Sequence, residues 1–147
     1  MRPGGSPILV LRPLTYMNLS GIAVRECVQR HNLSPTEVMV VHDHMDLPLG
    51  RLRVRPGGGS GGHRGVRSVA AELNSTEFAR LRVGIGRPPE GTPAEDHVLS
   101  SFVPEEVAVL REVLEVAVKA IRTSVTCGLE EAMNLYNGCD LREQPPE

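Results

Sequence analysis

The run Val38-Met39-Val40-Val41, four apolar residues with no polar interruption, constrains the fold of this chain most. A half-exposed strand alternates polar and apolar residues, so an unbroken run of this length is expected of a central strand covered on both faces. Such a strand needs a layer of helices on each side, which makes the chain an α/β protein. Before the run, Ser34-Pro35-Thr36-Glu37 reads as a turn with a serine and a glutamate at capping spacing. After it, His42-Asp43-His44-Met45-Asp46 crowds polar groups at the carboxyl end of the strand, where open α/β sheets place their ligand sites. An ordinary surface turn is the competing reading.

The flanking sequence alternates strand-like and helix-like stretches. Residues 7–11 form a short apolar run bounded by Gly and Pro signals, and residues 20–30 place Val24, Cys27 and Val28 on one helical face. Residues 63–73 have helical spacing through Val66, Val69, Ala70 and Leu73, and residues 78–85 read as a strand ending at Gly84-Ile85-Gly86. Residues 88–93 are loop. The longest helix is expected over 105–125, with Val107, Leu110, Leu114, Ala117, Ile121 and Val125 as its apolar stripe, acting as scaffold or lid. Gly128 breaks it, and 129–136 forms a last short helix.

A length of 147 residues, 40% of them hydrophobic, suits one packed domain. The expected organisation is an unstructured leader over 1–6, the domain over 7–138 and a disordered tail over 139–147, polar with two prolines. No stretch reaches the roughly 18–20 apolar residues of a membrane span, and the N-terminus lacks the apolar run of a secretory signal. Cys27, Cys127 and Cys139 are odd in number with no CxxC spacing, so neither a disulfide framework nor a zinc site is indicated. Reduced thiols in a cytosol, with no metal and no cofactor, are the simpler reading.

The net charge of -2 argues against a general nucleic-acid binder, yet it averages two unlike regions. Residues 51–90 hold eight arginines against three glutamates, whereas residues 91–147 hold four basic against eleven acidic residues. A basic middle beside an acidic tail suits a protein that grips a polyanion on one face, the alternative being arginines that merely solvate a surface. In Arg51-Leu52-Arg53-Val54-Arg55 the alternation of a strand projects all three guanidinium groups to one side. The row abuts Gly57-Gly58-Gly59-Ser60-Gly61-Gly62, a loop where backbone can come close to a ligand. That loop matches neither the Walker pattern nor the dinucleotide fingerprint.

Four stretches together carry a specific resemblance. Thr15-Tyr16-Met17-Asn18-Leu19-Ser20-Gly21, then His42-Asp43 with Asp46-Leu47-Pro48 and Gly50, then Gly57-Gly58-Gly59 with Gly61-Gly62-His63 and Gly65, then Arg80-Leu81-Arg82-Val83-Gly84-Ile85-Gly86-Arg87-Pro88 stand in order and at familiar intervals. They resemble the bacterial-type peptidyl-tRNA hydrolase family, and the likeness continues through Val98-Leu99-Ser100-Ser101-Phe102, covering nearly all of residues 7–137. It implies a single three-layer α/β domain, a mixed sheet flanked by helices, here without the family's first strand and helix. It further implies hydrolysis of the ester joining a peptide to the 3′ end of tRNA.

In that family a first strand, an Asn-Pro-Gly loop and a Thr-Arg-His-Asn stretch precede the segment that begins here near Pro7, and the histidine of that stretch is the general base. The five histidines of this chain, His31, His42, His44, His63 and His97, all fall in later regions. The resemblance makes Asp43 the carboxylate that orients the base, and Asn18 the amide that binds the tRNA-peptide end and orients the reacting water. Tyr16 becomes an aromatic contact near the terminal base. His63 matches the histidine of the glycine-loop motif, where a structural hydrogen bond to the loop and a catalytic role both fit. Arg64 stands where the family often has asparagine, a permanent cation in place of an amide that suits phosphate better than water. Arg53 and Arg55 match basic positions facing the tRNA backbone, with Arg82 on a strand bordering the same face.

The expected function is therefore a peptidyl-tRNA hydrolase of the cytoplasm, monomeric when complete. This chain is expected to turn over slowly or not at all and, with one flank of its sheet uncovered, to self-associate. The alternative is a truncated, inactive homologue that binds tRNA or another RNA through its basic face. A non-functional gene product or an incomplete gene model is the third class.

Overall fold

The computed structural model describes residues 7–142; the expected leader over 1–6 and the last five residues of the expected tail lie outside the described residues. In chain order the elements are α1 (Ser20–Arg30), β1 (Met39–His44), β2 (Leu52–Arg55), α2 (Arg64–Leu73), β3 (Ala79–Gly84), α3 (Ala94–Leu99), α4 (Pro104–Thr126) and α5 (Leu129–Tyr136). Short 3-10 turns at Met17–Leu19 and Pro35–Glu37 lead into α1 and β1. The fold is α/β, a mixed sheet flanked by helices.

The sheet order is β1-β3-β2. Ala79 donates its N–H to Val38 and Ile85 to His44, at 2.9 and 3.0 Å, with the same offset of 41 residues, so β1 and β3 run parallel. Gly84, the last residue of β3, donates to the carbonyl of Arg51, just ahead of β2, which fits an antiparallel pair.

Three sequence expectations change here. The Val38–Val41 run is not the middle strand, because β3 is, and the first three residues of β3 are fully packed. With β3 on one side and no strand on the other among the described residues, β1 is half-buried and Val41 exposed. The strand also continues past the apolar run through His42, Asp43 and His44, residues expected to follow its carboxyl end, so the competing reading of a surface turn does not hold for them. The expected strand over 7–11 is absent. A strand exists only where a neighbour accepts its backbone hydrogen bonds, and these residues have none among the described elements, leaving Val10 93% exposed.

The chain divides into two compact units, Met1–His42 with Arg55–Arg80 and Asp43–Val54 with Leu81–Glu147. In the first, Val66, Val69 and Phe78 are the core, with Val24, Val38, Val40, Ala70 and Leu73 packed on it. Here α1 lies against α2 so closely that a side chain on Gly21 would strike the Ser68 carbonyl. The Gly21 N–H is instead met by Ser68 Oγ at 2.9 Å, and Arg25 pairs with Glu72 at 2.5 Å. The turn before β1 is capped as expected, Glu37 Oε2 accepting from the Ser34 N–H at 2.8 Å.

In the second unit α4 packs on α5, and the buried row of α4 is Val113, Ala117 and Ala120. Of the expected stripe, Ala117 is buried and Val107, Leu110, Ile121 and Val125 are half-buried, whereas Leu114 is 49% exposed. Ala132 is the buried residue of α5. The tail expected to be disordered from Cys139 is ordered over its first residues: Asp140 bridges to Arg51, and the Leu141 N–H donates to the Gly50 carbonyl at 2.9 Å. Helix α3, unforeseen in sequence, follows Pro93 and sets His97 Nε2 2.9 Å from the Gly86 carbonyl.

Candidate functional site

Most of the expected site residues of the first unit gather at the amino end of α2. Tyr16 is exposed and leads into the 3-10 turn that carries Asn18. Asn18 shares the wall of an open groove of about 350 Å³ with Arg64, Arg67, Ser68, Ala71 and Glu72. Spacing explains the wall: Arg64, Arg67, Ser68, Ala71 and Glu72 recur every three or four residues along one face of α2. Glu72 already has Arg25 as its partner, so the groove is positive on balance.

His63 is the N-cap of α2. Its Nδ1 accepts the Val66 N–H at 3.2 Å, which places the ring proton on Nε2. The other side of the ring meets His42 edge-on, with centroids 4.7 Å apart at 60°. The Nδ1 hydrogen bond of the His63 ring runs to the Val66 amide inside α2, not to the glycine loop. His42, buried, is the residue that ties this histidine pair to β1.

The glycine loop ahead of His63 is fixed by a residue that the sequence reading had not singled out. Arg80 is fully buried, its Nη1 donates to the Gly59 carbonyl at 2.8 Å, and its Nη2 donates to the carbonyls of Gly58 at 2.8 Å and Thr76 at 3.2 Å. Its guanidinium carbon lies 4.0 Å from the centre of the Phe78 ring. The period of a strand would have revealed the pair, since residues two apart share a face and an arginine beside a phenylalanine can stack on it. Arg67 is likewise absent from the expected set, although its place one helical turn after Arg64 was readable.

Arg55 also belongs to the first unit, exposed at the end of β2. Asp43, Arg53 and Arg82 belong to the second. Asp43 is half-buried on β1. Arg53, half-buried, lies on β2 between the buried Leu52 and Val54, as the alternation requires, and Arg82 is half-buried on the neighbouring β3. Arg51 differs from the expected anion-facing row: its Nη2 donates to the Asn137 carbonyl at 3.2 Å, and Asp140 sits beside it. Arg87 pairs with Asp46. Among the described residues no cluster of three or more metal-ligating side chains occurs.

The family model for peptidyl-tRNA hydrolase matches residues 1–144. The chain belongs to the peptidyl-tRNA hydrolase family. It is 48% identical over 134 residues to the peptidyl-tRNA hydrolase of Desulfitobacterium hafniense, which covers 91% of this chain and 72% of the relative. The peptidyl-tRNA hydrolase of Trichodesmium erythraeum is 44% identical over 150 residues, 98% of this chain and 68% of the relative. Among solved structures, the crystal structure of peptidyl-tRNA hydrolase from Acinetobacter baumannii superposes with a TM-score of 0.81 at 31% identity. That match covers 88% of this chain and 65% of the crystallised one, so the chain spans about two thirds of the length of the family member. Among the described residues no helix is long and apolar enough to cross a membrane.

Proposed function

We propose that the protein hydrolyses the ester between a peptide and the 3′ end of tRNA, in the cytosol and without a cofactor, and so returns the tRNA to use. Family membership supports this reading, and the observation that carries it is the positive groove where Asn18, Arg64 and Arg67 line one wall beside His63. An amide there can donate to the substrate carbonyl and accept from water at once, while two guanidinium groups hold the phosphodiester of the acceptor end. Nothing in the fold favours the alternative of an inactive RNA-binding homologue.

Ester hydrolysis needs a water activated by a base that titrates near neutrality and a carboxylate to orient that base. Asp43 supplies the carboxylate. His63 gives its Nδ1 to the helix cap and so serves to hold the loop and the start of α2 in place. Arg53, Arg55 and Arg82 contact tRNA phosphates, a contact that carries affinity without sequence readout and suits an enzyme accepting many tRNAs. Tyr16, exposed beside Asn18, stacks on the terminal base.

The test is release of N-acetyl-amino acid from N-acetyl-aminoacyl-tRNA, with Asn18→Ala and Asp43→Ala in parallel. Each variant is expected to lose about two powers of ten or more in kcat/KM. Rates equal to the unsubstituted protein in both would remove these residues from the reaction.

A further inference from the structure

The reaction gives Arg80 no part, yet among the described residues Arg80 is the largest fully buried side chain. A cation is kept away from water only where the protein supplies acceptors, and here they include two carbonyls of one short loop. The planar fork of a guanidinium can meet two adjacent carbonyls at once, as Nη1 and Nη2 do with Gly59 and Gly58, both at 2.8 Å. Nη2 also reaches the Thr76 carbonyl, which accepts the Gly58 N–H at 3.3 Å, so the loop is tied from both sides to the start of the strand that carries Arg80. Stacking on Phe78, itself fully buried in the core, fixes the plane of the fork.

The consequence reaches His63. The Ser60 carbonyl, next after the two clamped glycines, accepts the His63 N–H at 3.0 Å, and the His63 ring then caps α2 and meets His42. Gly65, the second residue of α2, lies against both the His63 ring and the Met17 sulfur, so the same stack bears on the turn that carries Asn18. With its carbonyls turned inward, the loop leaves its other face open. A side chain on Gly59 would touch nothing within 4 Å, and Gly59 has no left-handed backbone that would demand glycine. Its missing side chain therefore serves neither packing nor conformation within the protein, and the free space lies where a ligand can come down on the backbone.

We propose that Arg80 is a positioning residue: its buried guanidinium draws the Gly58 and Gly59 carbonyls inward, and so presents the bare glycine face and His63 to the substrate end. The kinetic arm rests on peptidyl-tRNA being the substrate; the spectroscopic and binding arms do not.

Four arms test it. In the unsubstituted protein the Arg80 Nη protons should give separate, slowly exchanging NMR signals, and rapid averaging of them would overturn the clamp. Arg80→Lys keeps the charge but loses the planar pair of nitrogens that meets the two glycine carbonyls side by side. It should shift the His63 ring nitrogens and the Val66 amide and weaken binding of a CCA-ended RNA minihelix about tenfold. A Val113→Ala variant, which loosens the core of the other unit, should leave both signals and binding unchanged at a temperature where it is folded. Gly59→Val should melt within a degree or two of the parent and still lose minihelix binding about tenfold. Where hydrolysis of N-acetyl-aminoacyl-tRNA is measured, both variants should lower kcat/KM by at least as much. Arg80→Lys with an unmoved His63 signal, or Gly59→Val with parental binding, contradicts the proposal; a parent without hydrolysis contradicts only the function assigned above.

Discussion

The side-chain amide of Asn137 pairs with both backbone groups of Val54. Its Oδ1 accepts the Val54 N–H at 2.7 Å and its Nδ2 donates to the Val54 carbonyl at 3.1 Å, so one side chain completes the outer edge of β2 as another strand would. Val54 is fully buried, and water cannot replace the pair. Asn137→Ala should therefore cost roughly 2–4 kcal/mol in denaturant unfolding, two buried groups losing their partners. Asn137→Asp should recover little at neutral pH, because its carboxylate faces the Val54 carbonyl. A loss under about 0.5 kcal/mol for Asn137→Ala, within the range of a surface change, would show that the edge does not depend on this amide.

The segment after Asn137 adds a response to acid. Asp140 is lowered from 3.8 to about 2, first by the hydrogen bond from the Arg142 side chain and then by that from its backbone N–H. A depressed value in the folded state means that the ionised carboxylate supports the docked segment above pH 3.8, and that this support fades as pH falls toward 2. The amide of Leu141, bonded to the Gly50 carbonyl, should lose its hydrogen-exchange protection in that interval ahead of the α4 amides. Asp140→Asn should abolish the acid step, and an unaltered step would place its origin elsewhere.

Binding to tRNA should be steeply salt-dependent. Changing Arg53 and Arg55 together to Ala should weaken binding of all tRNAs alike and flatten the slope of log affinity against log salt by roughly two units. Leu52 and Val54, the buried residues of the strand, are untouched, so the fold should survive. Glu130 and Glu131, on α5, are the control and should leave the slope nearly unchanged. Equal slopes for parent and double arginine variant would make these arginines ordinary surface charge.

The apolar residues 7–14 should drive association. Ile8, Leu9, Val10, Leu11 and Leu14 are all exposed, an apolar run that invites burial against another surface. Light scattering should show a mass that rises with concentration, and Val10→Lys with Leu14→Lys should suppress the rise. A concentration-independent monomer in the parent would contradict this.

Much of the layout was legible because local pattern and local structure agree. Helix α1 follows from Val24, Cys27 and Val28, α5 from the break at Gly128, and β2 from the alternation of Leu52 and Val54. What sequence could not reveal depends on partners distant along the chain. Residues 7–11 have the composition of a strand but no neighbour to pair with, and the apolar run of β1 gave no sign of how many strands flank it. In α4 the buried row runs through Val113, Ala117 and Ala120 and leaves Leu114 exposed, a choice that the apolar spacing alone did not make. In the site, Asn18 and Arg64 were found through motifs, whereas Arg80 was hidden inside one: its meaning lies in the carbonyls of Gly58 and Gly59, 22 and 21 residues earlier.

The assignment of peptidyl-tRNA as substrate is tested most directly by incubating this chain with N-acetyl-aminoacyl-tRNA beside the full-length relative from Desulfitobacterium hafniense. Ester cleavage is expected well above the uncatalysed background, and Asn18→Ala should lower it by about two powers of ten or more. No cleavage together with no tRNA binding would contradict the assignment itself.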